Sequence, residues 1–197
     1  MKPLFGLYAR PHFVGIGGAG MEALARLVAG MGCRVSGSDL QPSAAVSALQ
    51  RDGFRVRVGH GAEAVADADL VVYSTAVPGD NPELRRAREA SVPVVSRAAL
   101  LGALSRLHLT VAVAGSHGKT TTASMLAAIL ERAGWEPSVA VGAWRDGAAQ
   151  GRLGRGRHFV VEADEYRRAF LELCPAWAVV TNVDAEHLDC YADLAAV

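Results

Sequence analysis

The stretch that most restricts what this chain can fold into lies at residues 109 to 125. An apolar run, Leu109 to Ala114, leads into Gly115-Ser116-His117-Gly118-Lys119-Thr120-Thr121-Thr122 and then into a helical pattern. A strand, a glycine loop and a helix in that order make a cradle for phosphate. The glycines let the backbone approach an anion, and the unpaired N–H groups and dipole of the following helix favour negative charge. Lys119 adds a mobile cation, and Thr120 adds a hydroxyl suited to Mg²⁺. Of the 20 basic residues only Lys2 and Lys119 are lysines, so a chain that otherwise uses arginine places a lysine here. The pattern predicts a nucleoside triphosphate site over Gly115, Ser116, His117, Gly118, Lys119, Thr120 and Thr121. Val113 stands where the common G-x-x-x-x-G-K-[ST] loop has its first glycine, so this loop is a shorter relative.

Nearer the amino end, a short strand over 13–15 runs into Gly15-Ile16-Gly17-Gly18-Ala19-Gly20, then into a helix with Met21, Leu24, Leu27 and Val28 on one face. This is G-x-G-x-x-G after a strand and opening a helix. A second strand over 34–37 ends at Ser38-Asp39, an acid about 20 residues beyond the glycines, where a dinucleotide-type fold hydrogen-bonds a ribose. Helices over 43–50, 63–66, from Asn81-Pro82-Glu83 and over 98–107 then alternate with strands over 54–58, 70–73 and 92–95. Such alternation predicts a parallel, doubly wound sheet that binds ligands at the carboxyl ends of its strands. Ser38, Asp39, His60, Ser74 and Thr75 fall at those ends. His60 taken alone also fits a solvated turn, and Ser74 a helix cap.

After the phosphate loop the helix is expected to reach Ala133 and stop at Gly134. Residues 138–141 read as a strand, and 142–157 as a glycine-rich loop with solvated arginines. A strand over 158–161 ends in Glu162-Ala163-Asp164-Glu165, and carboxylates at that place can hold Mg²⁺ directly or through water. The last strand, 176–180, ends in Thr181-Asn182-Val183-Asp184-Ala185-Glu186-His187. The fold class is α/β: a Rossmann-like parallel-sheet domain over 1–107, then the first part of a P-loop-type ATP-binding domain over 108–197. The residues after 107 are too few for a complete domain of the second kind.

Composition narrows the partners. Half of the 197 residues are hydrophobic and the formal net charge is zero, with arginines dispersed, so no basic stripe points to nucleic acid. No segment has the length and apolarity of a signal peptide or a membrane span, which predicts a cytoplasmic protein. Cys33, Cys174 and Cys190 are too few and too scattered for a disulfide framework or a zinc site, and read as buried thiols.

Taken in order, Gly15-Ile16-Gly17-Gly18-Ala19-Gly20-Met21, Gly37-Ser38-Asp39, Asn81-Pro82-Glu83, the loop from Gly115 to Thr122, Glu162-Ala163-Asp164-Glu165 and Thr181 to His187 resemble the Mur ligase family over essentially the whole chain. Within it, the likeness is to the branch that joins L-alanine to UDP-N-acetylmuramate in peptidoglycan synthesis. The family's phosphate loop is G-[TS]-x-G-K-T, which accounts for the short spacing. The resemblance implies a three-domain enzyme of which this chain has the first domain and part of the second, with no turnover by these residues alone. It implies that Gly15, Gly17, Gly18, Ala19 and Gly20 hold the UDP part of the substrate, with Ser38, Asp39, His60 and Ser74 nearby. It implies ATP and Mg²⁺ as cofactors, Lys119 facing the outer phosphates, metal positions at Thr120, Glu162 and His187, and Lys119, Glu162 and His187 as the catalytic set. Without the resemblance His187 reads as a helix-start residue.

The chemistry so implied is transfer of the ATP γ-phosphoryl group to the lactyl carboxylate, giving an acyl phosphate that the alanine amine attacks. The chain departs from the family at Ser116 (commonly threonine), at Arg167 and Ala169 (commonly an acid and a serine), and over 142–156, which lacks the usual asparagine. Three other readings compete. A ligase recycling murein tripeptide shares the architecture. A truncated remnant would bind UDP-sugar or ATP without turnover. A nicotinamide oxidoreductase would use the first glycine loop but leaves Lys119 and Thr120 without a role.

Overall fold

The computed structural model describes residues 4–142, 151–184 and 191. Strand β1 (Pro11–Val14) starts on proline, a residue tolerated at the first position of a strand, and is buried along its whole length. It pairs in parallel with β2 (Ser36–Asp39) on one side and β4 (Leu70–Tyr73) on the other. With β3 (Arg55–Val58) and β5 (Val94–Ser96) the sheet order is β3-β2-β1-β4-β5, all parallel. Helices α1 (Ala19–Gly30), α2 (Ala44–Arg51) and α3 (Pro82–Glu89) and a 3₁₀ turn at Ala62–Val65 make the crossovers. Ser43 caps α2 by accepting from Val46 N, and Asn81 caps α3 with Pro82 in its first turn. The chain runs outward from β1 to β3, then returns to β4 and β5. The reversal opens a crevice between the ends of β1 and β4.

Helix α4 (Arg97–Ser105) leads to a second sheet. Its strands are β6 (Leu109–Ala114), β7 (Ser138–Ala140), β8 (Gly151–Arg152), β9 (His158–Glu162) and β10 (Trp177–Val180), in the order β10-β6-β9-β7-β8. Only β8 is antiparallel to its neighbour. Helix α5 (Lys119–Arg132) connects β6 to β7, and a second 3₁₀ segment spans Tyr166–Glu172. Strand β10 is exposed along its length, with Trp177 at 53%. Among the described residues no helix is long and apolar enough to cross a membrane.

Helix α1 is packed from two sides. One core runs from Phe13, Ile16 and Leu49 through Met21, Leu24 and Leu27 of α1 to Ala140, Phe159 and Val161 of the second sheet. The seam is tight: a Cβ on Gly151 in β8 would overlap the carbonyl of Ala23 in α1.

Four expectations are corrected. Strand β2 lies at Ser36–Asp39 rather than 34–37, because pairing of His12 with Ser36 and Val14 with Ser38 draws Ser38 into the ladder, while Arg34 N bonds Ala9 O outside it. The turn expected as a short helix over 63–66 is 3₁₀. The segment taken as a loop over 142–157 contains β8; residues 143–150 lie outside the described residues, and Arg152 and Arg155 pair with Glu131 and Glu136. Cys33 is buried but Cys174 is exposed, and Cys190 lies outside the described residues.

Gly151→Ala is expected to destabilise the protein by about 1–3 kcal/mol through overpacking against α1. A urea unfolding midpoint unchanged from wild type would show that β8 does not dock on α1 as described.

Candidate functional site

The loop from Gly115 to Gly118, expected to cradle phosphate, is shaped by two glycines and braced by the strand beside it. Gly118 sits at φ +80° as the cap of α5, a conformation that admits few side chains. A Cβ on Gly115 (φ +127°) would land on Thr181 Oγ1 and the Asn182 backbone. Register explains the neighbours: Val180 pairs with Ala114 and Glu162 with Val113, so the ends of β10 and β9 flank the loop. Thr181 Oγ1 donates to His117 O at 2.6 Å, His117 N donates to Asn182 Oδ1 at 2.9 Å, and Asp184 N donates to Ser116 Oγ at 2.8 Å.

Lys119 folds back on this loop. Its Nζ donates to Gly115 O (2.6 Å) and Ser116 O (3.0 Å) and pairs with Glu165 Oε1 at 2.9 Å. Glu162 Oε2 accepts from Gly142 N at 2.8 Å, while its Oε1 is buried with no hydrogen-bond partner among the described residues. An orphaned carboxylate oxygen beside a phosphate loop fits a divalent cation. Thr120 is half-buried in the first turn of α5. Residues 185–190 lie outside the described residues, and His187 with them; among the described residues no cluster of three His, Cys, Asp or Glu side chains is built to hold a metal.

The first glycine loop lies at the crevice between β1 and β4. Gly15 has φ +80°, and a Cβ there would press within 3.3 Å of Ser74 Cβ. Asp39 Oδ2 accepts from Gly17 N at 2.8 Å, so this acid fastens the glycine loop as well as lining the cavity. Ser74 Oγ accepts from Ala76 N at 3.3 Å and closes a turn rather than capping a helix.

Two cavities meet at this loop. One, of about 690 Å³, is lined by Gly15, Gly17, Asp39, His60 and Asn81. The other, of about 560 Å³, is lined by Ala19, Gly20, Arg97, Lys119, Glu162 and Asp164. Gly18 and Ser74 line both. The cavities at the sites expected from two separate motifs adjoin, with Ala76 as a third shared lining residue. Of the expected residues, Gly115, Ser116, His117, Gly118, Thr120 and Thr121 form the loop and helix start at its edge, and Ser38 lies beneath it, fully buried.

The model of the Mur ligase family catalytic domain matches residues 10–108, and that of the Mur ligase middle domain matches 113–197. The chain belongs to the Mur ligase family. This Mur ligase chain is 50% identical to the UDP-N-acetylmuramate–L-alanine ligase of Bordetella avium over 91% of its own length and 39% of the relative's. It is 47% identical to that of Syntrophotalea carbinolica over 97% of its length and 42% of the relative's. The chain thus spans about two fifths of the curated relatives it matches. Among solved structures, the UDP-N-acetylmuramate-alanine ligase of Thermotoga maritima matches with TM-score 0.83 and 36% identity, over 93% of this chain and 43% of that one. The UDP-N-acetylmuramate:L-alanyl-γ-D-glutamyl-meso-diaminopimelate ligase of Neisseria meningitidis matches with TM-score 0.86 and 32% identity, over 95% and 64%.

Sequence reasoning about this Mur ligase chain missed three participants. Arg97 follows β5, so the rule that ligands gather at strand ends already pointed to it; its Nη2 donates to Asp164 Oδ2 at 2.6 Å across the cleft. Asn182 was read only as part of a strand end. Glu83 was read only as part of a helix start, yet it is fully buried, with Ser38, His12 and Gly61 N–H hydrogen-bonded to its carboxylate.

Burial pushes the Glu83 carboxyl up, but the hydrogen bonds from His12 and Ser38, the charge of His12 and the Gly61 N–H outweigh it and hold the group below its ordinary value. A carboxyl lowered by folding stabilises above its unfolded pKa, and that contribution is lost as pH falls through the folded one. Stability is therefore expected to fall as pH drops below about 4.5. Glu83→Gln is expected to flatten that part of the profile, checked by urea midpoints across acid pH. An identical acid slope in the variant would mean that Glu83 gains no proton on unfolding.

Proposed function

We propose that this chain is the nucleotide-sugar and ATP-phosphate binding portion of a cytoplasmic UDP-N-acetylmuramate:L-alanine ligase, with residues 1–107 as the UDP-substrate domain and 108–197 as part of the ATP domain. The observation that carries the reading is the meeting of the two cavities at Gly18 and Ser74. A UDP-sugar with its uridine beside Asp39 and His60 sets its diphosphate against the α1 N-terminus, where backbone N–H groups face an anion. Its acyl end then reaches toward Lys119 and Glu162. Lys119 binds the outer phosphates of ATP, and the loop from Gly115 to Thr121 cradles them. Glu162, Thr120 and His187 are the residues to hold Mg²⁺; when bound, it neutralises charge on the transferring phosphoryl group. Positioning and charge neutralisation are the work required to make an acyl phosphate from the lactyl carboxylate, for attack by the L-alanine amine. The orphaned Glu162 Oε1 supports the metal role. Relatives about half identical and named for L-alanine favour that amino acid over a tripeptide.

Calorimetric titration with UDP-N-acetylmuramate and with Mg-ATP tests the assignment. Lys119→Ala is expected to weaken Mg-ATP binding about 10- to 100-fold, the size of a lost charged hydrogen bond, and to leave UDP-sugar binding unchanged. A folded chain that ignores UDP-N-acetylmuramate would overturn the proposal.

A further inference from the structure

The buried polar network behind His60 bears on which base the 690 Å³ cavity accepts, and this inference rests on the UDP-substrate reading above. Ser38 Oγ donates to Glu83 Oε2 at 2.6 Å. The hydroxyl has one proton, so where Ser38 Oγ meets His60 Nδ1 at 3.0 Å it can only accept. Glu83 Oε1, 3.5 Å from the same nitrogen, is also an acceptor while the carboxylate is ionised. Gly61 N donates to Oε1 at 3.1 Å and His12 Nε2 approaches Oε2 at 3.2 Å, and these donors keep Glu83 in that form. Both neighbours of His60 Nδ1 therefore require it to carry the proton. In the neutral ring Nε2 is then a lone-pair acceptor. Among the described residues His60 Nε2 makes no hydrogen bond, and His60 is one of the residues that line the cavity with Asp39.

We propose that Glu83, acting with Ser38, is a positioning residue that locks His60 in the Nδ1–H tautomer, so that Nε2 accepts the ring N3–H of uracil and rejects cytosine. Cytosine presents a lone pair at N3, and two facing acceptors leave both unpaired. Glu83→Gln reverses the logic. Its amide can donate to Ser38 Oγ, which frees the serine proton for His60 Nδ1 and moves the ring proton to Nε2.

The test is a long-range ¹H–¹⁵N spectrum of the histidine rings in the labelled 197-residue chain, with His60→Gln assigning the peaks, paired with titrations of UDP and CDP. The expected result is an N–H shift at Nδ1, a bare-nitrogen shift at Nε2, and a preference for UDP of about tenfold or more. In Glu83→Gln the two ring shifts exchange and the preference falls toward unity. Ser38→Ala reads the same link without changing the buried charge, and is expected to mix the tautomers. An Nε2–H ring in the wild type, or an unchanged ring and preference in both variants, overturns the proposal. UDP and CDP bound equally well would overturn the base selection alone. Binding of neither by a folded chain would overturn the base selection and the UDP reading together.

Discussion

Helix α1 is held between two sheets, and the geometry of the cleft depends on that clamping. Its amino end follows β1 of the first sheet, while its flank packs on β7 and β8 of the second. Glycine at 151 is what allows the second contact, since any side chain there would meet the Ala23 carbonyl. Apolar burial supplies the clamping energy, because Met21, Leu24 and Leu27 share one core with both sheets. The consequence is positional. Gly18 to Gly20 are brought to face Lys119 and Glu162, which the chain order places about 100 and about 140 residues away.

The cleft is also ordered by where polar groups are forced to find partners. Glu83, Ser38 and His12 are buried beneath the first cavity, in surroundings where an unpaired polar atom costs about 1–3 kcal/mol. They satisfy one another, and the network ends at His60 on the cavity wall. The second cavity follows the same rule in part. Asp164 takes Arg97 and Glu165 takes Lys119, while Glu162 Oε1 has no hydrogen-bond partner among the described residues. A buried carboxylate oxygen without a hydrogen-bond partner among the described residues, close to Lys119 in the cavity lining, has the chemistry to suit a cation.

Much of this was legible in the sequence because it is local. The two glycine loops, the strand ends and the alternation of elements follow from periodicity and turn chemistry within about 20 residues. The positions of Asp39, Lys119 and Glu162 were read that way. What was not legible depends on pairs far apart in the chain. Glu83 reads as a capped helix start until Ser38 and His12 are seen to surround it, and Asn182 reads as a strand end until register sets it against His117. β8 has only two residues and no periodic signal; its partner is β7, and its fit is to α1.

Pairing within the cleft also sets what a ligand must do on arrival. Lys119 is already engaged by Glu165 and by two loop carbonyls, so any anion approaching its ammonium competes with acceptors already in place. Arg97 stands in the same relation to Asp164 on the opposite wall. Lys119 and Arg97 are thus each held in place by an acid of the segment after β9. The two acids are adjacent in sequence, Asp164 and Glu165, in the short segment between β9 and the second 3₁₀ segment, so one stretch of backbone positions the partners of both basic groups.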